Sequence, residues 1–251
     1  MEGYVYAQVI VEGSTDIPVV TALMCAAGWA DSEFSVTSTN GKGAIDRDIK
    51  KYWEAARVLP YVIFRDLDQD GEGCPVTLRA ELVEHTPGES PDLLIRIVDQ
   101  CIESWILADR QGVAEFCGRS VASVKPPASH HKPYLLRMMK DAKLKDAVEE
   151  KGRELDFGPA YALHLQRLMT RHWSIERAAV ESDSLRRALE RLTDLHDRLG
   201  GGTQGAESMP LGWQRNSMPC SSRGVSSRGW IATANMRTTL TPSKNCSTTP
   251  P

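Results

Sequence analysis

Short apolar runs alternate with stretches of helical spacing through the first hundred residues, separated by polar, glycine-bearing turns. Residues 4–11, Tyr-Val-Tyr-Ala-Gln-Val-Ile-Val, are rich in β-branched and aromatic side chains and predict a strand. It gives way at Glu12-Gly13-Ser14-Thr15-Asp16 to a helix marked by Ile17, Val20, Leu23, Met24 and Ala27, with Pro18 in its first turn and Gly28 as its stop. Residues 34–39 predict a polar, edge-like second strand. A flexible loop, Asn40-Gly41-Lys42-Gly43, and a helix over 44–56 come next. A third strand over 58–65 runs into Asp66-Leu67-Asp68-Gln69-Asp70-Gly71, and then come a helix over 75–84 and a fourth strand over 93–98. The order βαβαβαβ with short loops implies an α/β fold, a parallel sheet of about four strands flanked by helices, with sites at the strand carboxyl ends.

Beyond the sheet the period is helical. One helix is expected from Asp99 to about Phe116, then a loop over 124–133 carrying Lys125-Pro126-Pro127 and His130-His131-Lys132-Pro133. Residues 134–152 and 160–198 read as helical, with Leu185, Leu189, Leu192 and Leu199 on one face. This predicts a helical extension and not a second sheet. From Gly200 the period is lost among Gly, Ser, Thr, Pro and Arg, which predicts a disordered tail. Three readings of that tail stand side by side: a natural flexible segment, a basic segment contacting nucleic acid, or sequence read in the wrong frame. The expected division is therefore 1–122, an α/β domain; 123–199, a helical extension; and 200–251, a disordered tail.

Composition narrows the class. Hydrophobic residues make up 41% of the 251 residues and charged ones 25%, ordinary values for a globular protein with a buried core. No apolar run reaches transmembrane length and the first residues lack a signal core, so a cytoplasmic protein without a membrane partner is expected. The six cysteines are scattered with no CxxC pair, which argues against a zinc ribbon or a secreted disulfide framework and for reduced thiols. The net charge of −3 hides an asymmetry. Residues 200–251 hold five basic residues and one acidic residue, while residues 1–199 hold 25 Lys and Arg against 32 Asp and Glu, a balance of −7. An acidic body is not that of a simple electrostatic nucleic-acid binder, but it suits an enzyme using a divalent metal and local basic patches.

The acidic run after the third strand carries the candidate chemistry. Successive strand side chains point to opposite faces, so alternation places Asp66 and Asp68 together. Carboxylates held side by side repel, and a cation between them relieves the repulsion. A calcium loop is excluded twice: its twelfth position would be Thr77 instead of glutamate, and a strand precedes it where an EF-hand has a helix. Each acid has a plain alternative. Asp66, Asp68 and Asp70 make a solvated turn, Glu12 an exposed strand end, Asp16 a helix N-cap, Glu103 a wet helix position and Lys42 a loop lysine. Their convergence is what argues for a site, because Glu12 ends the first strand and Asp66 and Asp68 the third. Hard carboxylate oxygens suit Mg²⁺ or Mn²⁺, and His130-His131 is expected at the surface.

Val11-Glu12-Gly13 after a strand, with Asp66-Leu67-Asp68 two elements later, resembles the Toprim domain shared by topoisomerases, primases and OLD-type nucleases. Asp16, four residues past Glu12, resembles the OLD-nuclease version, in which a second acid joins the first metal site. The segment Ile102-Glu103-Ser104-Trp105-Ile106-Leu107-Ala108-Asp109 is similar to one in small Toprim-like proteins of the DUF4276 type, often encoded beside an AAA or SMC-like ATPase. The resemblance covers about residues 5–190. It implies a Toprim-like (Rossmann-like) fold and an Mg²⁺- or Mn²⁺-dependent endonuclease acting on DNA or RNA, with an ATPase partner, in defence against phage or mobile elements. One ion would sit on Glu12 and Asp16 and another on Asp66 and Asp68, with Glu103 as an additional acid and Lys132 or Lys42 near the phosphate. Glu12, Asp66, Asp68, Lys132 and Lys42 thus form the expected catalytic set. The alternative is a noncatalytic regulatory or interaction subunit of an ATPase complex. A topoisomerase- or primase-like activity is disfavoured, since the chain lacks room for a strand-passage domain and shows no zinc module.

Overall fold

A computed structural model describes residues 6–88, 90 and 92–200, and every structural statement concerns those residues. The four predicted strands form: β1 (Ala7–Val11), β2 (Phe34–Ser38), β3 (Tyr61–Asp66) and β4 (Leu93–Val98). They lie in one parallel sheet in the order β2-β1-β3-β4, with Val9 opposite both Val36 and Val62, and Asp66 opposite Val98. The order reverses at β1, and at such a point the loops after neighbouring strands diverge and leave a crevice at the carboxyl ends.

Period-two alternation divides the sheet between two apolar layers. Val9, Val11, Val62, Phe64 and Val98 face the larger core, while Ile10, Ile63, Ile95 and Ile97 face the smaller one. The smaller layer is closed by α2 (Lys42–Ala55) and α3 (Pro75–Val83), which supply Ile45, Ile49, Leu78 and Leu82. The larger is closed by α1 (Ile17–Ala26), α4 (Ile102–Ala108), α5 (Arg110–Phe116), α6 (His131–Asp141), α7 (Tyr161–Arg171), α8 (Ile175–Glu181) and α9 (Asp183–Arg198). One continuous core thus runs from β1 to α9. Burial on both faces explains why these strands read as nearly unbroken apolar runs.

Two expectations after β4 need correction. The helix expected over 99–116 is two helices, because Asp109 (φ −87°, ψ 75°) leaves the helical region and caps α5 by accepting the Gly112 N–H at 3.1 Å. Residues 142–152 are not helical. Instead β5 (Val148–Lys151) and β6 (Glu154–Phe157) pair as an antiparallel hairpin that turns through Gly152 at φ 66°. Its physical cause is alternation within a charged stretch: Val148, Leu155 and Phe157 pack on the core, while Glu149, Glu150 and Lys151 face solvent. Cys101 and Cys117 are free thiols. No helix among the described residues is long and apolar enough to cross a membrane. Apart from Gly200, the expected tail over 200–251 lies outside the described residues.

Candidate functional site

Parallel strands deliver the loops at their carboxyl ends to one rim. Glu12 comes directly after β1 and turns its carboxylate across to β3, where Oε1 accepts the Asp66 N–H at 2.8 Å. Asp16 immediately precedes α1 but does not cap it: its backbone is already helical at φ −83°, ψ −22°. Its Oδ2 instead accepts the Gly13 N–H at 2.8 Å and its Oδ1 the Thr15 hydroxyl at 3.3 Å, closing the loop after β1 on itself. The N-cap reading of Asp16 therefore fails. Asp66 ends β3 on the face shared with Val62 and Phe64, and Glu103, on the first turn of α4, is buried rather than wet. With Asp68 and Asp99 these acids line an open cleft of about 1070 Å³.

The pleat does not explain how Asp66 and Asp68 come together. β3 stops at Asp66, Leu67 buries itself in the smaller core, and Asp68 takes a left-handed conformation at φ 48°. The turn, not the strand, returns Asp68 to the cleft. Its Oδ2 accepts Lys42 Nζ at 2.9 Å, and the same ammonium reaches Asp70 Oδ2 at 2.8 Å. Lys42 opens α2 and does not itself line the cleft. Asp70 is further held by Arg65 at 2.6 Å, so two cations already pair with this partly exposed carboxylate. Lys42 first and Arg65 second hold the Asp70 carboxyl below its usual range.

Arg65 is the residue that sequence reasoning passed over. Lying between Phe64 and Asp66 in β3 and almost fully buried, it reaches Asp46 on α2 at 2.9 and 3.0 Å, bonds the Asp66 carbonyl, and lies 3.5 Å from Glu12 Oε1. It anchors the acidic turn to α2 from behind the sheet. The Asp66–Asp70 spacing carried no sign of this. His131, expected at the surface, opens α6 half-buried on the cleft, and its Nδ1 has no hydrogen-bond partner in the structure. Tyr161 opens α7, is 1% exposed, and also leaves its hydroxyl unpartnered. It stacks on Phe157 at 4.3 Å, and no sequence signal marked it.

Lys132 enters from the opposite wall. It sits on the first turn of α6, with Nζ 3.7 Å above the Phe157 ring and 3.7 Å from Asp156 Oδ1. Its charge favours the ionised forms of Asp16 and Glu103. The two candidate lysines therefore serve different acids: Lys42 the turn after β3, Lys132 the side of the cleft near α1 and α4.

Burial dominates the electrostatics of the acids. It pushes the Glu12 carboxyl up to about 7, against the opposing pull of the Asp66 N–H and Arg65 and with added repulsion from Asp68 and Asp16. Asp66 is raised well above the carboxylate range by burial, then by Glu12, Asp16, Glu103 and Asp68. Burial also raises Asp16 and Glu103. The fold thus makes ionisation of these four acids costly. These hard oxygens fit Mg²⁺ or Mn²⁺ in kind. Among the described residues no three His, Cys, Asp or Glu side chains are gathered around a common point, since Glu12 bonds the Asp66 N–H, Asp16 the Gly13 N–H and Asp68 Lys42.

No protein-family model and no curated protein sequence matches the chain. Among solved structures it is similar to the C-terminal region of the Xanthomonas campestris pv. campestris OLD protein, at 16% identity and a TM-score of 0.44 over 76% of this chain and 96% of that one. It is also similar to the C-terminal region of the Burkholderia pseudomallei OLD protein, at 16% identity and a TM-score of 0.39 over 76% and 98% of the two chains. Likeness at this level carries no functional inference.

Proposed function

We propose that the chain is a metal-dependent phosphodiesterase of Toprim type acting on nucleic acid, with an AAA or SMC-like ATPase as partner. A single observation carries this reading: Glu12, Asp16, Asp66, Asp68 and Glu103 line one cleft, and burial raises four of them, Glu12, Asp16, Asp66 and Glu103, above the usual carboxylate range. A structural sheet end has no need of that arrangement, and its cost is what a divalent cation removes.

Glu12, Asp16, Asp66, Asp68 and Glu103 are the residues that would hold Mg²⁺ or Mn²⁺. A bound ion supplies Lewis-acid stabilisation of phosphoryl oxygens and a more acidic water. The protein's own groups position and bind. The Gly13 N–H and Thr15 hydroxyl fix the Asp16 carboxylate, and the Asp66 N–H fixes Glu12. Arg65 and Asp46 hold the turn that carries Asp68. Lys132 is placed to take a phosphate oxygen on the α6 wall, and Lys42 reserves Asp68 until a competing cation takes it.

The test is incubation of the full chain with plasmid DNA, single-stranded DNA and tRNA in Mn²⁺, with and without the ATPase. Cleavage that Asp68→Ala abolishes while the circular dichroism spectrum stays unchanged is the expected result. Unchanged cleavage by that variant would remove the assignment. One observation favours a noncatalytic regulatory subunit instead: Lys42 already neutralises Asp68 within the chain. That reading predicts ATPase binding that is the same for the wild type and Asp68→Ala, with no cleavage of any of the three substrates.

A further inference from the structure

Between β3 and β4 the rim of the cleft is closed by a slip in strand pairing. Within the sheet the two strands stay in step, and just past them the Leu67 N–H still reaches the Val98 carbonyl at 2.9 Å. The next bond runs from the Asp68 N–H to the Gln100 carbonyl at 2.8 Å, so one step on the β3 side spans two on the β4 side. A bulge of this kind re-aims the side chains beside it. Both residues at the slip are left-handed, Asp68 at φ 48° and Gln100 at φ 63°. The Cys101 N–H donates to the Asp99 carbonyl at 3.0 Å, closing a tight turn with Gln100 at its centre.

Glycine is the residue that suits such a backbone. The bond from Asp68 uses only the Gln100 carbonyl, which glycine would supply equally well. What glutamine adds is its side chain, whose Nε2 donates to the Ala128 carbonyl at 2.6 Å. From Ala128 the chain runs straight into Ser129, His130, His131 and Lys132, all on the cleft wall. Gln100, itself on that wall, thus ties the turn that carries Asp68 to the loop that delivers Lys132. The ammonium end of Lys132 has its own guides, Asp156 and the Phe157 ring, each at 3.7 Å. Gln100 fixes the other end, the backbone from which that side chain reaches. A tie that served the fold alone could be made from an unstrained residue; strain kept at the wall of a site points to a role there.

We propose that Gln100 is a positioning residue for the reaction of the cleft, setting the separation between Asp68 on the acidic side and Lys132 on the opposite wall. The proposal rests on the reading of the cleft as a phosphodiesterase site. A phosphate lying between the acidic turn and the lysine needs that separation set before it binds, since a misplacement of about 1 Å costs about 100-fold in rate.

The test uses the full chain and the variants Gln100→Gly, Lys132→Ala and the two combined. Gln100→Gly keeps the carbonyl for Asp68, suits φ 63° and removes the bond to Ala128, so it is expected to melt at the wild-type temperature or above. Hydrogen exchange read by mass spectrometry should run at least about threefold faster over residues 124–133 in this variant, with no change over 61–70. Cleavage of plasmid DNA, single-stranded DNA and tRNA in Mn²⁺ is followed with enzyme in excess, which keeps slow variants measurable. Gln100→Gly is expected to cleave about tenfold more slowly than wild type, but to cost less than about twofold in the Lys132→Ala background, where the residue it positions is gone. Unchanged exchange over 124–133, or equal fold-losses in the two backgrounds, overturns the proposal. So does a melting temperature more than about 5 °C below wild type, which would make Gln100 a brace of the fold. A wild type that cleaves none of the substrates removes the reading of the cleft and this proposal with it. Failure of the tie itself shows in exchange, without any cleavage, so the two failures are told apart.

Discussion

Glu12 and Asp66 are acids held where acids are unstable, and that has a measurable sign. A carboxyl whose folded-state value is raised binds more protons folded than unfolded in the interval between, so stability rises as pH falls through it. For Glu12 that interval runs from 4.5 to about 7. Without metal, the melting temperature is therefore expected to be higher at pH 5.5 than at pH 8, the reverse of ordinary early acid destabilisation. Glu12→Gln keeps an oxygen for the Asp66 N–H and removes the charge. It should flatten this pH dependence and add about 1–3 kcal/mol at pH 8 in urea unfolding. A wild type that loses stability steadily below pH 7 would contradict the assignment of Glu12. Asp16→Asn separates bracing from charge in the same way, since the amide oxygen still accepts the Gly13 N–H. We expect it to fold normally and to weaken Mn²⁺ binding about tenfold or more by calorimetry; equal affinity would confine Asp16 to bracing its loop.

At the scale of elements, the joint between α4 and α5 carries a load that its sequence does not advertise. Asp109, 1% exposed, accepts the Gly112 and Ser174 N–H groups and a two-pronged bond from Arg177 at 2.7 Å on each prong. Arg177→Ala would leave that charge buried and is expected to cost about 3–5 kcal/mol in urea unfolding, without displacing the cleft acids. A cost below 1 kcal/mol would show that the joint holds by packing alone. The segment 102–109 therefore mixes roles: Glu103 serves the cleft, Trp105 packs edge-on against Phe64, and Asp109 ties α5 to α8. The parallel sheet was legible because its strands are buried on both faces and end at abrupt polar turns. The hairpin of β5 and β6 was not, since only Val148, Leu155 and Phe157 alternate within a charged stretch that reads equally well as helix. Gathering Glu12 and Asp66 on one rim could be inferred from strand order; the return of Asp68 through a left-handed turn could not. The hold of Lys42 and Arg65 on the turn after β3 could not, because it depends on how α2 lies against the sheet.

Across the whole molecule, charge is sorted by place. The cleft gathers carboxylates, and the body of residues 1–199 remains acidic. Such a molecule loses stability to its own cleft until a cation enters, so Mn²⁺ at a hundred times its dissociation constant should add about 2.7 kcal/mol to unfolding stability at pH 8, and EDTA should abolish the gain. Asp66 is the acid on which the other four bear, and asparagine matches its shape while removing its charge. The most direct test of the account is therefore Mn²⁺ titration and nucleic-acid cleavage measured on the same preparations of wild type and Asp66→Asn. The account predicts that wild type binds Mn²⁺ and cleaves. Asp66→Asn should melt at an equal or higher temperature at pH 8, bind the ion weakly, and cleave at least about 100-fold more slowly. Cleavage by Asp66→Asn at the wild-type rate, or a wild type that binds Mn²⁺ and cleaves neither DNA nor RNA, would contradict it.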